Sequence, residues 1–239
     1  LKNYPEILKG DFGICPEPSN GVLFPQHCGI LRGKVTYTGE AGHTALLYEG
    51  ETCIQKAVRA INELYKLNDE LMKRPVGVNV PPPHLTVAVI NGGTAANVFP
   101  SKVTFWFDRR LIPGETHDQA LKEITDVLDN LKAKNEAYDY QIEVTSKRPL
   151  LEIPDGDPFI ELVKRSYKEI MGKDVKVAVG PAGSDAAWIH KVTGMPIPFF
   201  GAADDFSEFA MGKPNERIHL KNWLDFIKVY MMTVVNALS

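Results

Sequence analysis

Apolar positions recur with two different periods along this chain. In ETCIQKAVRAINELYKLNDELMKR, residues 51–74, they fall at Ile54, Ala57, Val58, Ile61, Leu64, Tyr65, Leu71 and Met72. Steps of three and four predict an amphipathic helix. A second stripe, Leu121, Ile124, Val127, Leu128 and Leu131, follows Thr116 and Gln119, a Thr-x-x-Gln pair able to close a capping box. Around these helices lie β-rich runs: GILRGKVTYTGEA at 29–41, the stretch after the three prolines of NVPPPHLTVAVING, SKVTFWFDRRLI at 101–112 and YDYQIEVTSKR at 138–148. The prolines bar a helix, so the residues after them are predicted to form a strand. The order β-α-β-β-α-β predicts a ferredoxin-like lobe over 29–148, with both helices on one face of a four-stranded sheet. The other face is left open, and such a face usually meets a partner or another domain.

The rest of the chain has a different rhythm. Asp157 and Pro158 suit the N-cap and first turn of a helix through Met171, with Gly172 as its stop. A strand at 175–180, a short helix from about Asp185 to Val192, a short strand at 195–202 and a final helix from about His219 to Leu238 follow. Strand and helix alternate, which predicts an α/β domain with a largely parallel sheet. Residues 1–28, including strand-like DFGIC at 11–15, are assigned to that sheet. The fold class is therefore α/β. A partial α/β domain, residues 1–28 and 149–239, carries an inserted ferredoxin-like lid, residues 29–148.

Composition narrows the function classes. The 239 residues hold 27 Lys and Arg against 30 Asp and Glu, a net charge of −3. That balance argues against a nucleic-acid partner. The apolar runs are too short for a membrane span. Cys15, Cys28 and Cys53 are odd in number and lack CxxC spacing, which fits a reducing, cytoplasmic setting better than a disulfide framework or a cysteine zinc site. The GxGxxG and P-loop patterns are absent.

Five motifs occur in order: ICPEPS at 14–19, GKVTYTGEAGHTA at 33–45, NGGTAANVFPSKVTFWFDRRLIPGE at 91–115, GPAGSDAAW at 180–188 and KPNERI at 213–218. Together they resemble the zinc-dependent M-twenty peptidases, a family that includes acetylornithine deacetylase, succinyl-diaminopimelate desuccinylase, aminoacylase and carboxypeptidase G. The resemblance implies hydrolysis of an amide bond in a small carboxylate-bearing N-acyl amino acid or peptide, by a homodimer joined through the lid. It implies zinc, replaceable by cobalt or manganese, with Glu17 as one metal-holding carboxylate. It implies His43 as a catalytic residue that reaches the partner subunit's site and stabilises the developing oxyanion. Asn97, Arg110, Gly183, Ser184 and Asp185 are implied on the substrate, Arg110 by gripping its carboxylate. If a carboxylated ligand binds, Asn97 and Arg110 should face the same cleft as His43.

Bland readings stand beside these. Glu17 suits a turn between two prolines, Asn97 a turn before Pro100, Arg110 a solvated strand end and Ser184 a helix N-cap. Glu40 and Glu115 read as solvated. Arg109 should alternate to the opposite sheet face from Arg110. Two departures from the family pattern bear on activity. The His-x-Asp motif and the paired acidic residues are expected upstream of Leu1, so the chain reads as N-terminally truncated. The family's last ligand histidine falls at Gly212 or Met211, neither of which ligates as imidazole does. The implied reading is an incomplete family hydrolase, inactive alone. The alternatives are a degenerate, non-catalytic ligand-binding scaffold and a plain dimerisation module.

Overall fold

The computed structural model describes residues 10–46, 49–202 and 214–239. In chain order the elements are β1 Val22–His27, β2 Gly29–Thr38, β3 Gly42–His43, α1 Cys53–Leu71, β4 His84–Gly92, β5 Val98–Phe99, β6 Lys102–Leu111, α2 His117–Lys134, β7 Tyr140–Arg148, β8 Leu151–Glu152, α3 Pro158–Met171, β9 Lys176–Gly180, α4 Ala186–Thr193 and α5 Leu220–Leu238. They form two compact units. One holds residues 29–76 and 82–148; the other holds 1–28, 77–81 and 149–239.

The first unit is an antiparallel four-stranded sheet in the order β4-β6-β2-β7, with α1 and α2 packed on it. This is the ferredoxin-like order, and it explains the two periods in the sequence. Val103, Phe105, Phe107, Arg109 and Leu111 of β6 alternate onto the helix side and are buried. Leu31, Val35 and Tyr37 of β2 join them. Both helices begin with the capping box their sequences encode: Thr52 with Gln55, and Thr116 with Gln119. The stripe on α1 is wider than one buried face. Ala57, Leu64 and Leu71 are buried, whereas Ile54, Val58, Tyr65 and Met72 remain 40–48% exposed. The opposite face of the sheet is charged. Arg32, Asp108 and Arg110 lie there, with a Lys34–Glu143 pair beside them. Trp106 and half-exposed Val89 share that face, so it is mixed in character.

The second unit centres on a three-stranded sheet, β8-β1-β9. Its strands are mixed rather than largely parallel: β1 runs parallel to β9 and antiparallel to β8. Pro25 sits inside β1, where the register shifts between Leu23 and Gln26. A proline and the lack of apolar–polar alternation hide this strand from pattern reading. The stretches around Cys15 and Phe199 meet through isolated bridges, not full strands. Pro196 and Pro198 lack N–H groups, so the pairing runs through their carbonyls, which accept from the N–H groups of Gly13 and Cys15. Asp157 caps α3, Pro158 opens it, and Gly172 ends it in the left-handed region at φ 68°. α3 and α5 pack together over a core of Leu23, Ile153, Phe159, Ile160, Val163, Phe200, Phe226 and Val229.

Candidate functional site

In the second unit, three of the sequence-derived residues occupy one loop. Gly180 closes β9 in register with His27, which closes β1, and the chain continues through Gly183, Ser184 and Asp185 into α4. C-terminal ends of parallel strands are where α/β sheets hold their sites. Asp185, not Ser184, is the N-cap of α4, and its side chain makes no capping bond. Ser184 is 7% exposed and hydrogen-bonds to His27 instead. The Ser184 Oγ lies 3.0 Å from His27 Nε2, and the Ser184 N–H donates to the same nitrogen at 3.2 Å. His27 is fully buried. Burial holds its basicity below the usual histidine value, partly offset by the contact with the Cys28 carbonyl.

Glu17 is exposed, but its backbone is pinned. The Cys15 carbonyl accepts from Phe200 N–H at 2.9 Å, and Ser19 Oγ donates to the Gly201 carbonyl at 2.9 Å. A Cβ at position 201 would collide with the Glu17 carbonyl and come within 2.7 Å of Pro16, so glycine lets the two segments touch. Burial, then the Glu17 charge, pushes the neighbouring Cys15 thiol up from its ordinary value. Among the described residues, no three metal-binding side chains come together, so Glu17 has no described companions with which to hold a catalytic zinc. Gly212 and Met211 lie outside the described residues.

In the first unit, His43 and Asn97 are brought together by a two-stranded ribbon. His43 of β3 pairs with Val98 of β5, and the Thr44 N–H donates to the Asn97 carbonyl at 3.0 Å. The Ala45 N–H donates to His43 Nδ1 at 3.1 Å. The proton of the neutral ring therefore sits on Nε2. That nitrogen lies 3.3 Å from Asn97 Nδ2. Two donors side by side do not bond each other. An anionic oxygen can accept from both; the opposite amide orientation would let Asn97 accept from the ring.

Arg110 stands apart from this pair. Its Nε donates to Asp108 Oδ1 at 2.7 Å, while Arg32 Nε takes Oδ2 at 2.6 Å. The register pairs Arg110 with His84, whereas Gly92, at the other end of β4, pairs with Val103. At about 3.4 Å per residue, roughly 25 Å separates Arg110 from the His43 end of β6. Within one lid the three residues do not line a common cleft, contrary to the sequence expectation. The motifs mark each residue type, but the length of the intervening hairpin sets them apart.

Arg109 does alternate to the helix side, where it is 1% exposed. Glu115 is not solvated, as its sequence context suggested. It accepts from Arg109 Nη2 at 2.8 Å, from Arg74 Nη1 at 3.0 Å and from the Ile112 N–H at 3.0 Å. His27 carried no sequence signal, because QHCG resembles no site motif and its strand was hidden.

Residues 26–136 match the peptidase dimerisation domain of the M-twenty peptidases. A succinyl-diaminopimelate desuccinylase of Magnetococcus marinus is 28% identical, over 68% of this chain and 40% of that protein. An acetylornithine deacetylase of Proteus mirabilis is 32% identical, over 51% of this chain and 31% of that protein. A tripeptidase structure from Staphylococcus aureus superposes with a TM-score of 0.75 at 18% identity, over 98% of this chain and 59% of that one, which bears on the fold alone. The chain spans less than half the length of the curated relatives it matches. With the ferredoxin-like lid, these matches make residues 26–136 a peptidase dimerisation domain and support the M-twenty peptidase family for the chain.

Proposed function

We propose that this chain contributes the lid and part of the α/β domain of a metal-dependent hydrolase that cleaves the amide bond of small carboxylate-bearing N-acyl amino acids or peptides. The His43–Asn97 pair carries the reading: an imidazole Nε2 and a side-chain amide held 3.3 Å apart inside a peptidase dimerisation domain. An imidazole N–H oriented in this way stabilises the oxygen that gains charge when water adds to an amide carbonyl. The names of the desuccinylase and deacetylase relatives support the same bond type. Arg110 grips the substrate carboxylate through its terminal nitrogens while Asp108 fixes its Nε. The Gly183-Ser184-Asp185 loop lines the bound substrate. Glu17 supplies one carboxylate to the metal. Zinc is the first candidate, with cobalt or manganese as alternatives, and the described residues do not complete its coordination.

The active form in this proposal is a homodimer joined by the edge strand β4. Val89 and Ile90 on that edge are 46% and 49% exposed, as are the outer residues of α1 noted above. An unpaired edge with apolar neighbours seeks a second strand. A two-fold axis through an antiparallel β4 pair reverses strand direction, so the Gly92 end of one copy meets the partner's His84 end. His43 and Asn97 of one copy then approach Arg110 of the partner subunit, which bridges the separation seen within one lid. The oxyanion donors and the carboxylate grip of one site come from different copies.

A second reading, a ligand-binding scaffold without turnover, is favoured by one observation: the sequence has no histidine between His190 and His219. The test is hydrolysis of N-acetyl and N-succinyl amino acids and of dipeptides by the protein expressed from its natural gene, loaded with zinc, cobalt or manganese. Turnover that falls about a hundredfold in His43→Ala supports the hydrolase. Binding of these compounds without turnover under any metal supports the scaffold.

A further inference from the structure

We infer that His27 is a positioning residue that holds the Gly183-Ser184-Asp185 loop shut over Cys15. The inference deepens the reading of that loop as a substrate-holding element, and rests on that reading for its catalytic consequence.

A backbone N–H only donates, so the Ser184 N–H at 3.2 Å makes His27 Nε2 an acceptor. The proton of the neutral ring is therefore on Nδ1, and that nitrogen faces the Cys28 carbonyl at 3.0 Å, which only accepts. The two constraints agree independently on one tautomer. With Nε2 an acceptor, the Ser184 hydroxyl donates to it at 3.0 Å. The Cys15 sulfur sits against the same loop, where contacts with the Ser184 hydroxyl and the Ala186 N–H oppose the rise that burial imposes on its thiol. A single directed chain thus runs from Ser184 to His27 and on to the Cys28 carbonyl, with Cys15 beside its start.

The surroundings fix the ring in this pose. His27 packs edge-on to Phe199, with ring centroids 6.5 Å apart. A side chain at Gly180 would come within 3.1 Å of the His27 Cβ and 3.2 Å of Phe24. The Cys28 N–H donates to the Gly180 carbonyl at 2.9 Å, locking the strand ends on which loop and histidine sit. Ser184 makes two contacts to one imidazole nitrogen, and it lies between Gly183, which carries no side chain, and Asp185, whose side chain makes no capping bond. The loop has no comparable side-chain anchor among the described contacts.

Cys15 reports on the loop. It is partly exposed, while Cys28 and Cys53 are buried. The experiment measures alkylation of each cysteine by iodoacetamide, mapped by mass spectrometry, in the natural protein and in His27→Ala, His27→Asn and His27→Gln. Glutamine can offer an acceptor near the Nε2 position; asparagine reaches only the Nδ1 position. His27→Ala and His27→Asn should speed Cys15 alkylation about tenfold, the effect of losing one buried hydrogen bond, with Cys28 and Cys53 still protected. His27→Gln should stay within about twofold of the parent, having kept that bond. Nitrogen chemical shifts of the parent at neutral pH should give Nδ1–H and bare Nε2. Unchanged Cys15 rates in the alanine and asparagine variants would overturn the inference. So would a glutamine variant no better than alanine, exposure of all three cysteines, or the opposite tautomer. These readouts need no turnover, so they stand even where the hydrolase reading fails. Where turnover is present, His27→Ala should raise KM more than it lowers kcat, and His27→Gln should restore it.

Discussion

Replacing Glu115 by alanine should destabilise the lid severely, although the residue sits in a polar turn of the sequence. Arg109 is 1% exposed and donates two bonds to Glu115, at 2.8 and 3.2 Å, and one more to Glu123 at 3.2 Å. The alanine variant leaves a buried guanidinium with a single carboxylate, a loss of about 3 kcal/mol, the lower end for a broken buried pair. The Ile112 N–H loses its 3.0 Å acceptor as well, about 1 kcal/mol more. The half-exposed Arg74 contact adds little. A total near 4 kcal/mol should lower the melting temperature by about 8–16 °C for a chain of this size. Calorimetry or a thermal melt by circular dichroism measures it. The double variant Arg109→Met, Glu115→Leu should recover most of the loss, because a packed apolar pair removes the stranded charge. A single variant that melts within about 3 °C of the parent refutes the buried-pair reasoning.

Three further outcomes follow from the same geometry. Stability should fall as pH drops below about 6.5, by up to about 1.4 kcal/mol per unit, because the unfolded chain binds a proton that buried His27 refuses. His27→Gln should flatten that slope, and a chemical-denaturation series across pH 5–8 checks it; an unchanged slope in the variant assigns the effect elsewhere. Val89→Lys with Ile90→Lys should convert a dimer to a monomer in sedimentation equilibrium, since charge on an edge strand blocks pairing; a persistent dimer puts the interface elsewhere. Arg110→Ala should raise KM about tenfold to a hundredfold with kcat little changed, the loss of one charge-assisted bond; an unmoved KM removes Arg110 from the substrate.

Much of the fold was legible because local and long-range signals agree. Both capping boxes, the Asp157-Pro158 start of α3 and its Gly172 stop can be read directly from residue order. The alternation on β6 likewise separates Arg109 from Arg110. What escaped reading depends on partners far along the chain. Glu115 sits in a polar turn and reads as solvated, yet two arginines from other elements enclose it. β1 carries a proline and lies between two strands, so neither alternation nor propensity marks it. His27 acquires its partner across 157 residues of sequence. Arg110 and His43 were each recognisable by motif, but only the strand register reveals that a full sheet length divides them within one lid.

Subunit complementation tests most directly whether one site is completed by two copies. His43→Ala and Arg110→Ala are prepared separately, each with low activity on an N-acyl amino acid, then unfolded together and refolded as a mixture. In a mixed dimer, one site has intact Arg110 and the partner's intact His43, while the other site has neither. With random pairing, half of the dimers are mixed and each carries one good site, so activity should recover to about one quarter of the parent. A mixture no more active than the mean of its two components contradicts the shared site and returns His43 and Arg110 to separate roles.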